Sequence, residues 1–197
     1  LNSGRSHEAQ WLEDARHGDI EAFAYLVEAY QRPVFGLCYR MLGNLQDAED
    51  AAQETFLKAY RHFGQYDPKR RFLNWILAMA SNHCIDQIRR LKHRPAIPLE
   101  ALPEEMISGD APAPEAAAQE AETRDMVRQL TQELDATDRA ALMLYYWQES
   151  SYQDIATALG ISTSAVKSRL YRARRQLAEG WLARFREKEP GREPSTL

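Results

Sequence analysis

Between Ser162 and Glu179, hydroxyls, a phenol and cations recur at helical spacing. Ser164, Lys167, Ser168, Tyr171, Arg172 and Arg175 fall on one side of a 3.6-residue repeat. Val166, Leu170, Ala173 and Leu177 fall on the other, at steps of four, three and four. One stripe packs, and the other suits a nucleic-acid groove: short polar groups near the helix start for base edges, cations further along for phosphates. A small helical bundle with a solvated basic face is the alternative for this stretch taken alone.

A second polar stripe runs through Asn82, Asp86, Arg89, Arg90 and His93. An amide can hydrogen-bond a base edge and the arginines a phosphate, but a cationic helix end is also favoured by the helix dipole. A third stripe joins Asp50, Gln53, Glu54, Leu57 and Arg61. It reads as a solvated surface or as a docking face for a basic partner helix. Asp50 and Glu54 stand one turn apart but lack a Glu-x-x-His partner for a metal.

The elements that must position these stripes are helices. Tyr152–Leu159 predicts a helix, Gly160 the positive φ that ends it, and Ser162 or Thr163 the cap of the next helix. Ahead of it, Met126, Val127, Leu130 and Leu134 form one helix. Asp135 or Thr137 caps another, built on Ala141, Leu142, Leu144, Tyr145 and Tyr146. In the first half of the chain, an amphipathic helix spans Glu8 to about Gly18. Asp19 caps a second helix, with Phe23, Leu26, Val27 and Tyr30 as its stripe. Pro33 is expected near the start of a further helix through Val34, Leu37, Cys38 and Met41, and Gly43-Asn44 ends it. The helix Gln46–Phe63 packs through Ala48, Ala52, Phe56, Ala59 and Phe63. A basic loop, Gly64–Arg71, leads into a long helix from Phe72 to about Lys92. Trp75 shares spacing with Phe72 and Met79 and belongs to the core. No period-two alternation predicts a strand.

From Pro95 to about Ala118, prolines and acids replace the apolar period, so residues 95–119 are expected to form a flexible acidic linker. Roughly 25 such residues have an r.m.s. span near 25–30 Å. The expected organisation is an all-α chain with a first domain at 1–94, this linker, a second domain at 120–188, and a polar tail at 189–197.

The 197 residues carry a net charge of −4. Even spreading would disfavour nucleic acid, but the charge is segregated. Glu100, Glu104, Glu105 and Asp110 fall in the linker, and Lys167, Arg169, Arg172, Arg174, Arg175 and Arg184 near the end. Cys38 and Cys84 have no CxxC spacing and are expected as inert core thiols, with no metal. Leu1–Arg5 shows no export signal and no apolar run reaches about 20 residues. A cytoplasmic chain without membrane insertion is expected.

Taken together, these parts resemble the extracytoplasmic-function sigma factors of bacterial RNA polymerase, the smallest sigma-70-type group. Tyr39–Asn44 and Asp47–Phe56 look like the family's regions 2.1 and 2.2, and Phe72–Asn82 like regions 2.3 and 2.4. Leu134-Asp135, Tyr152–Ala156 and Ser164–Arg174 look like region 4 with its helix-turn-helix. The resemblance covers about 19–94 and 126–177. It implies a transcription initiation factor without enzymatic activity or cofactor. Asp47, Asp50, Gln53, Glu54 and Leu57 would dock on the β′ clamp coiled coil of core polymerase, with the β flap as a further contact. Tyr66, Lys69, Arg70, Arg71, Asn82, Asp86, Arg89 and Arg90 would engage a melted −10 element, Asn82 aligning with the position that contacts a flipped base. Ser164, Lys167, Ser168, Tyr171 and Arg172 would read a double-stranded −35 element, with Arg169, Arg174 and Arg175 for phosphates. The acidic linker would run through the polymerase interior, and a separate anti-sigma factor would hold the chain inactive.

A stand-alone helix-turn-helix regulator would need a sensor or dimerisation unit. A metal-dependent phosphohydrolase would need converging carboxylates and histidines. Neither signature is present.

Overall fold

The computed structural model describes residues 3–91 and 114–188, all of it helix, turn or loop. The first block comprises α1 (Ser3–Arg16), α2 (Ile20–Leu42), α3 (Leu45–Arg61), a short 3-10 turn (Phe63–Gln65) and α4 (Phe72–Leu91). The second comprises α5 (Pro114–Gln132), α6 (Ala136–Tyr146), α7 (Tyr152–Leu159) and α8 (Thr163–Lys188). The greater part of the expected linker, 95–113, and the tail at 189–197 lie outside the described residues, as does His93.

Local chemistry sets most boundaries. Asp19 accepts hydrogen bonds from the backbone N–H groups of Glu21 and Ala22 at the start of α2. Gly43 closes α2 at φ +77°, and Asn44 then caps α3 through the Asp47 N–H. Ser151 and Asp154 form a reciprocal capping box on α7, and Gly160 ends α7 at φ +64°. Of the alternatives at the start of α6 and α8, Asp135 and Ser162 are the caps: Asp135 accepts from the Thr137 N–H and Ser162 from the Ala165 N–H.

Two expectations change. Pro33 lies inside α2, not at a helix start. An interior proline costs about 3 kcal/mol. The apolar positions Phe23, Leu26, Val34, Leu37 and Met41 keep one unbroken phase across it and are all buried, which outweighs that cost. Residues 114–119, placed in the linker by composition, open α5: proline suits the first helical position, and the alanines at 116–118 are the best helix formers. α8 runs through Gly180 to Lys188. A side chain at Gly180 would collide with Leu130, so glycine here lets α5 and α8 approach closely.

The two blocks pack on one another through a continuous apolar core. Arg139, 3% exposed, reaches from α6 into the end of α2. Its guanidinium donates to the carbonyls of Met41, at 2.5 Å, and Leu134, and to both oxygens of Gln132. A cation thus satisfies orphan carbonyls at the negative ends of both α2 and α5. Burial pushes its pKa down to about 10, opposed by the Asp135 carboxylate, so it keeps its charge at neutral pH. Gln148 donates to the Pro33 carbonyl, and Arg128 to the Tyr39 hydroxyl.

Candidate nucleic-acid interface and docking face

The polar stripe of α8 stands open. Ser164, Lys167, Ser168, Tyr171, Arg172, Arg174 and Arg175 are exposed, while Val166, Leu170 and Ala173 are fully buried beneath them. Tyr171 is 63% exposed, far beyond what an aromatic ring needs for packing. The hydroxyls are arranged locally: Ser164 shares a hydrogen bond with Ser162, and Ser168 donates to the Ser164 carbonyl. The Lys167 ammonium lies 5.9 Å from the centre of the Tyr152 ring, so its stem is steered along α7. Arg175 pairs with Glu179 at 2.7 Å, one turn on.

Arg169 departs from its expected role as a free phosphate contact. It donates to Asp138 at 2.6 Å and lies 3.6 Å from Asp135. An arginine bridging two carboxylates on α6 is a packing element of the helix-turn-helix, because both its charge and its donors are engaged.

The −10 group of residues is divided by the fold. Lys69, Arg70 and Arg71 are exposed on the loop before α4, with Asp67 accepting from the Lys69 N–H. Tyr66 is a correction: it is 5% exposed, packs among Phe63, Phe72 and Trp75, and donates its hydroxyl to the Arg70 carbonyl at 2.6 Å. It holds the loop and presents no surface to a ligand. Trp75 is half-buried in the same aromatic cluster, as its spacing requires.

On α4, Asp86 and Arg90 face solvent. Asn82 and Arg89 are exposed as well, but each is tethered to the second block. The Asn82 amide donates to the Ala158 carbonyl on α7 at 3.1 Å, and Arg89 donates to the Thr137 hydroxyl on α6 at 3.3 Å.

On α3, Asp50, Gln53 and Leu57 are exposed, and Glu54 and Asp47 half-buried. Gln53 and Leu57 border an open apolar groove between α2 and α3, lined by Val27, Phe35, Phe56 and Tyr60 and also by Trp147 of the second block. Arg40 lies over the Trp147 ring at 5.5 Å. The α2 wall and Trp147 were not anticipated. The available signal was that Leu57 and Tyr60, 50% and 42% exposed, are apolar yet lie off the packing stripe of α3.

Among the described residues, no group of His, Cys, Asp and Glu is placed to hold a metal ion, and no helix is long and apolar enough to cross a membrane. Cys38 and Cys84 are buried thiols, and the adjacent Cys38 sulfur and burial push the Cys84 pKa up, away from reactivity.

Residues 26–94 match the family model of sigma-70 region 2, and residues 124–177 that of sigma-70 region 4. The chain is 34% identical over 172 residues to the ECF RNA polymerase sigma factor SigW of Bacillus subtilis, covering 84% of this chain and 92% of that protein. It is 32% identical over 189 residues to the RNA polymerase sigma-H factor of Pseudomonas aeruginosa, covering 93% and 98%. Two solved structures share the fold. CnrH in complex with the cytosolic domain of CnrY has a TM-score of 0.64 and 24% identity, over 90% of this chain and 98% of that one. RpoE of Bartonella quintana in complex with the anti-sigma factor NepR has a TM-score of 0.63 and 20% identity, over 82% and 98%.

Proposed function

The chain belongs to the extracytoplasmic-function sigma factors of the sigma-70 family, and we propose that it performs their promoter recognition with two separate faces, α4 with its preceding loop and the exposed stripe of α8. A protein of this family binds core RNA polymerase and directs it to promoters, reading and melting the −10 element and reading the −35 element. The observation that carries the assignment of faces is the position of the two exposed polar stripes, one on each family-matched block. Lys69, Arg70, Arg71, Asn82, Asp86, Arg89 and Arg90 serve the −10 element. Ser164, Lys167, Ser168, Tyr171, Arg172, Arg174 and Arg175 serve the −35 element. The domains are 1–94 and 114–188, joined by residues 95–113. No step requires a cofactor or catalytic residue, and the chain acts in the cytoplasm, where the polymerase is.

The packed arrangement is not the one that reads DNA. Elements named for positions about 25 base pairs apart are roughly 85 Å apart on a duplex at ~3.4 Å per pair. Here α4 packs on α7 and α7 on α8, each step about 10 Å. Asn82 must also release the Ala158 carbonyl before it can meet a base. The two blocks therefore separate on the polymerase.

The groove beside Gln53 and Leu57, with Asp50 and Glu54 on its flank, is the docking face for core polymerase. Its apolar walls supply burial; Glu49 lines it on the α3 side, with Asp50 and Glu54 next along that helix, and these carboxylates suit a basic helical partner, while Arg32 and Arg40 line the α2 side. A separate inhibitory protein seated on the same groove would bar the polymerase, in line with the partner-bound state of both structural relatives.

Run-off transcription with core polymerase and a fragmented genomic template tests this function. Discrete new start sites with the protein present are expected. Specific DNA shifts by the protein alone, without new start sites, would favour a stand-alone regulator. Glu54→Arg is expected to remove co-elution with core polymerase while the far-UV spectrum is retained; unchanged co-elution refutes the docking face.

A further inference from the structure

The first turn of α6 carries a carboxylate that promoter reading as described above does not use. Asp138 is acidic, yet its side chain is 10% exposed. It points at α8, where it meets two arginines one turn apart. Arg169 Nη1 donates to its Oδ1 at 2.6 Å, Arg172 Nη2 lies 3.3 Å from the same oxygen, and Arg172 Nε lies 3.4 Å from Oδ2. The two arginines differ in what is left over. Arg169 is enclosed, with a side chain 27% exposed and a second carboxylate, Asp135, beside it. Arg172 is 58% exposed and stands on the open stripe with Lys167, Ser168 and Tyr171.

We propose that Asp138 is a positioning residue for −35 recognition, fixing the Arg172 guanidinium so that its outward edge addresses one base pair. This rests on the assignment of Arg172 to the −35 element. The guanidinium is a planar fork with five donors, and Asp138 engages the Nε–Nη2 edge. Nη1 and the second Nη2 proton remain directed away from α6. A free arginine side chain loses up to about 2 kcal/mol of rotamer freedom when it is ordered. A side chain already held by a buried carboxylate forfeits less on docking, and it presents a fixed plane. A fixed plane is what two hydrogen bonds to a guanine edge require, whereas a mobile cation serves any phosphate. Arg169 supports the device from below: it takes the shorter bond to Asp138 and so fixes the carboxylate that holds Arg172. The carboxylate also lowers the positive charge of the stripe, trading general phosphate attraction for discrimination.

The test is transcription by core polymerase with this chain from a promoter set in which each −35 base pair is varied in turn. Wild type, Arg172→Ala, Asp138→Asn, Arg172→Lys and Asp138→Asn/Arg172→Ala are compared, with thermal melting of each. Arg172→Ala is expected to lose discrimination at one base pair. Asp138→Asn is expected to lose roughly tenfold of the discrimination at that same pair, the scale of one bidentate contact. Its affinity for an unrelated duplex should be unchanged or higher, which a merely unfolded helix-turn-helix would not show. Arg172→Lys keeps the charge without the fork and should behave like Asp138→Asn, whether or not that variant folds well. The double variant should match Arg172→Ala alone. If Arg172→Ala loses discrimination while Asp138→Asn and Arg172→Lys keep the wild-type preference, Asp138 only braces α6 on α8 and the proposal is overturned. If Arg172→Ala keeps every −35 preference, the assignment of Arg172 itself fails, and the proposal with it.

Discussion

The stripes of α4 and α8 carry the same chemistry, amide or hydroxyl groups followed by arginines, yet they sit oppositely in the fold. On α8 the stripe faces outward, and its one buried attachment, Asp138, lies within the same block. On α4 two residues of the exposed stripe are tethered across the blocks: Asn82 bonds the carbonyl of Ala158, and Arg89 bonds Thr137, both in the other block. On the proposed reading, double-stranded DNA reaches the −35 face of the isolated chain directly, whereas the Asn82 and Arg89 donors of the proposed −10 face are released from their bonds only when the blocks part. An amide held by a partner carbonyl is satisfied, so exposing it costs little once water or a base replaces that carbonyl. Such a contact can close the chain without trapping it.

The strongest way to break this contrast is at Arg139, the buried cation that joins the blocks. Arg139→Met is expected to destabilise the chain by about 3 kcal/mol or more, since it strands the carbonyls of Met41 and Leu134. Urea unfolding reads it as a fall in midpoint. A loss below about 1 kcal/mol would make the closed arrangement incidental.

Next come the two faces themselves. Asn82→Ala should slow open-complex formation, followed by permanganate footprinting, by roughly 10- to 100-fold while leaving affinity for an isolated −35 duplex unchanged. Lys167→Ala and Arg172→Ala should each weaken that affinity by roughly 1–3 kcal/mol. Normal promoter activity in both would remove α8 from the reading. Equal effects of Asn82→Ala on both assays would erase the distinction.

Smaller still is the effect expected of Tyr66→Phe. Loss of its hydrogen bond to the Arg70 carbonyl should cost about 1 kcal/mol of stability, with promoter melting kept in proportion to folded protein. A specific melting defect would return Tyr66 to the −10 contacts.

The smallest effect lies between α3 and α4. His83 accepts from the Lys58 ammonium at Nδ1, 3.1 Å away, and burial together with the Lys58 charge lowers its pKa from 6.5. The folded chain therefore binds fewer protons at this site than the unfolded chain, and stability falls as pH drops below 6.5 toward the lower folded value. Urea midpoints between about pH 5 and about pH 8 should show this slope, and His83→Gln should flatten it. An unchanged slope would place the titration elsewhere.

What was readable in advance follows a physical division. Caps and glycine turns are local, and Asp19, Gly43 and Gly160 act where their residue types put them. The α8 stripe was readable because one helix face decides it. Pro33 and Pro114 were misjudged because more than local residue type decides them: a continuous buried stripe, and a helix start outside the apolar repeat. Tyr66 was placed on the surface because a loop aromatic does not reveal that three rings wait to receive it. Asp138, Arg139 and the α2 wall of the groove were invisible, since their roles exist only between elements far apart in the chain.

The most direct test is the distance between the blocks. Glu13 on α1 and Gln153 on α7 are exposed, and the two native thiols are fully buried, so cysteines placed at these positions take spin labels selectively. A single short separation is expected in the free chain, and a separation longer by tens of ångströms in the complex with core polymerase and a promoter. The short distance persisting in a complex that transcribes would contradict the closed −10 face and the opening on which it depends.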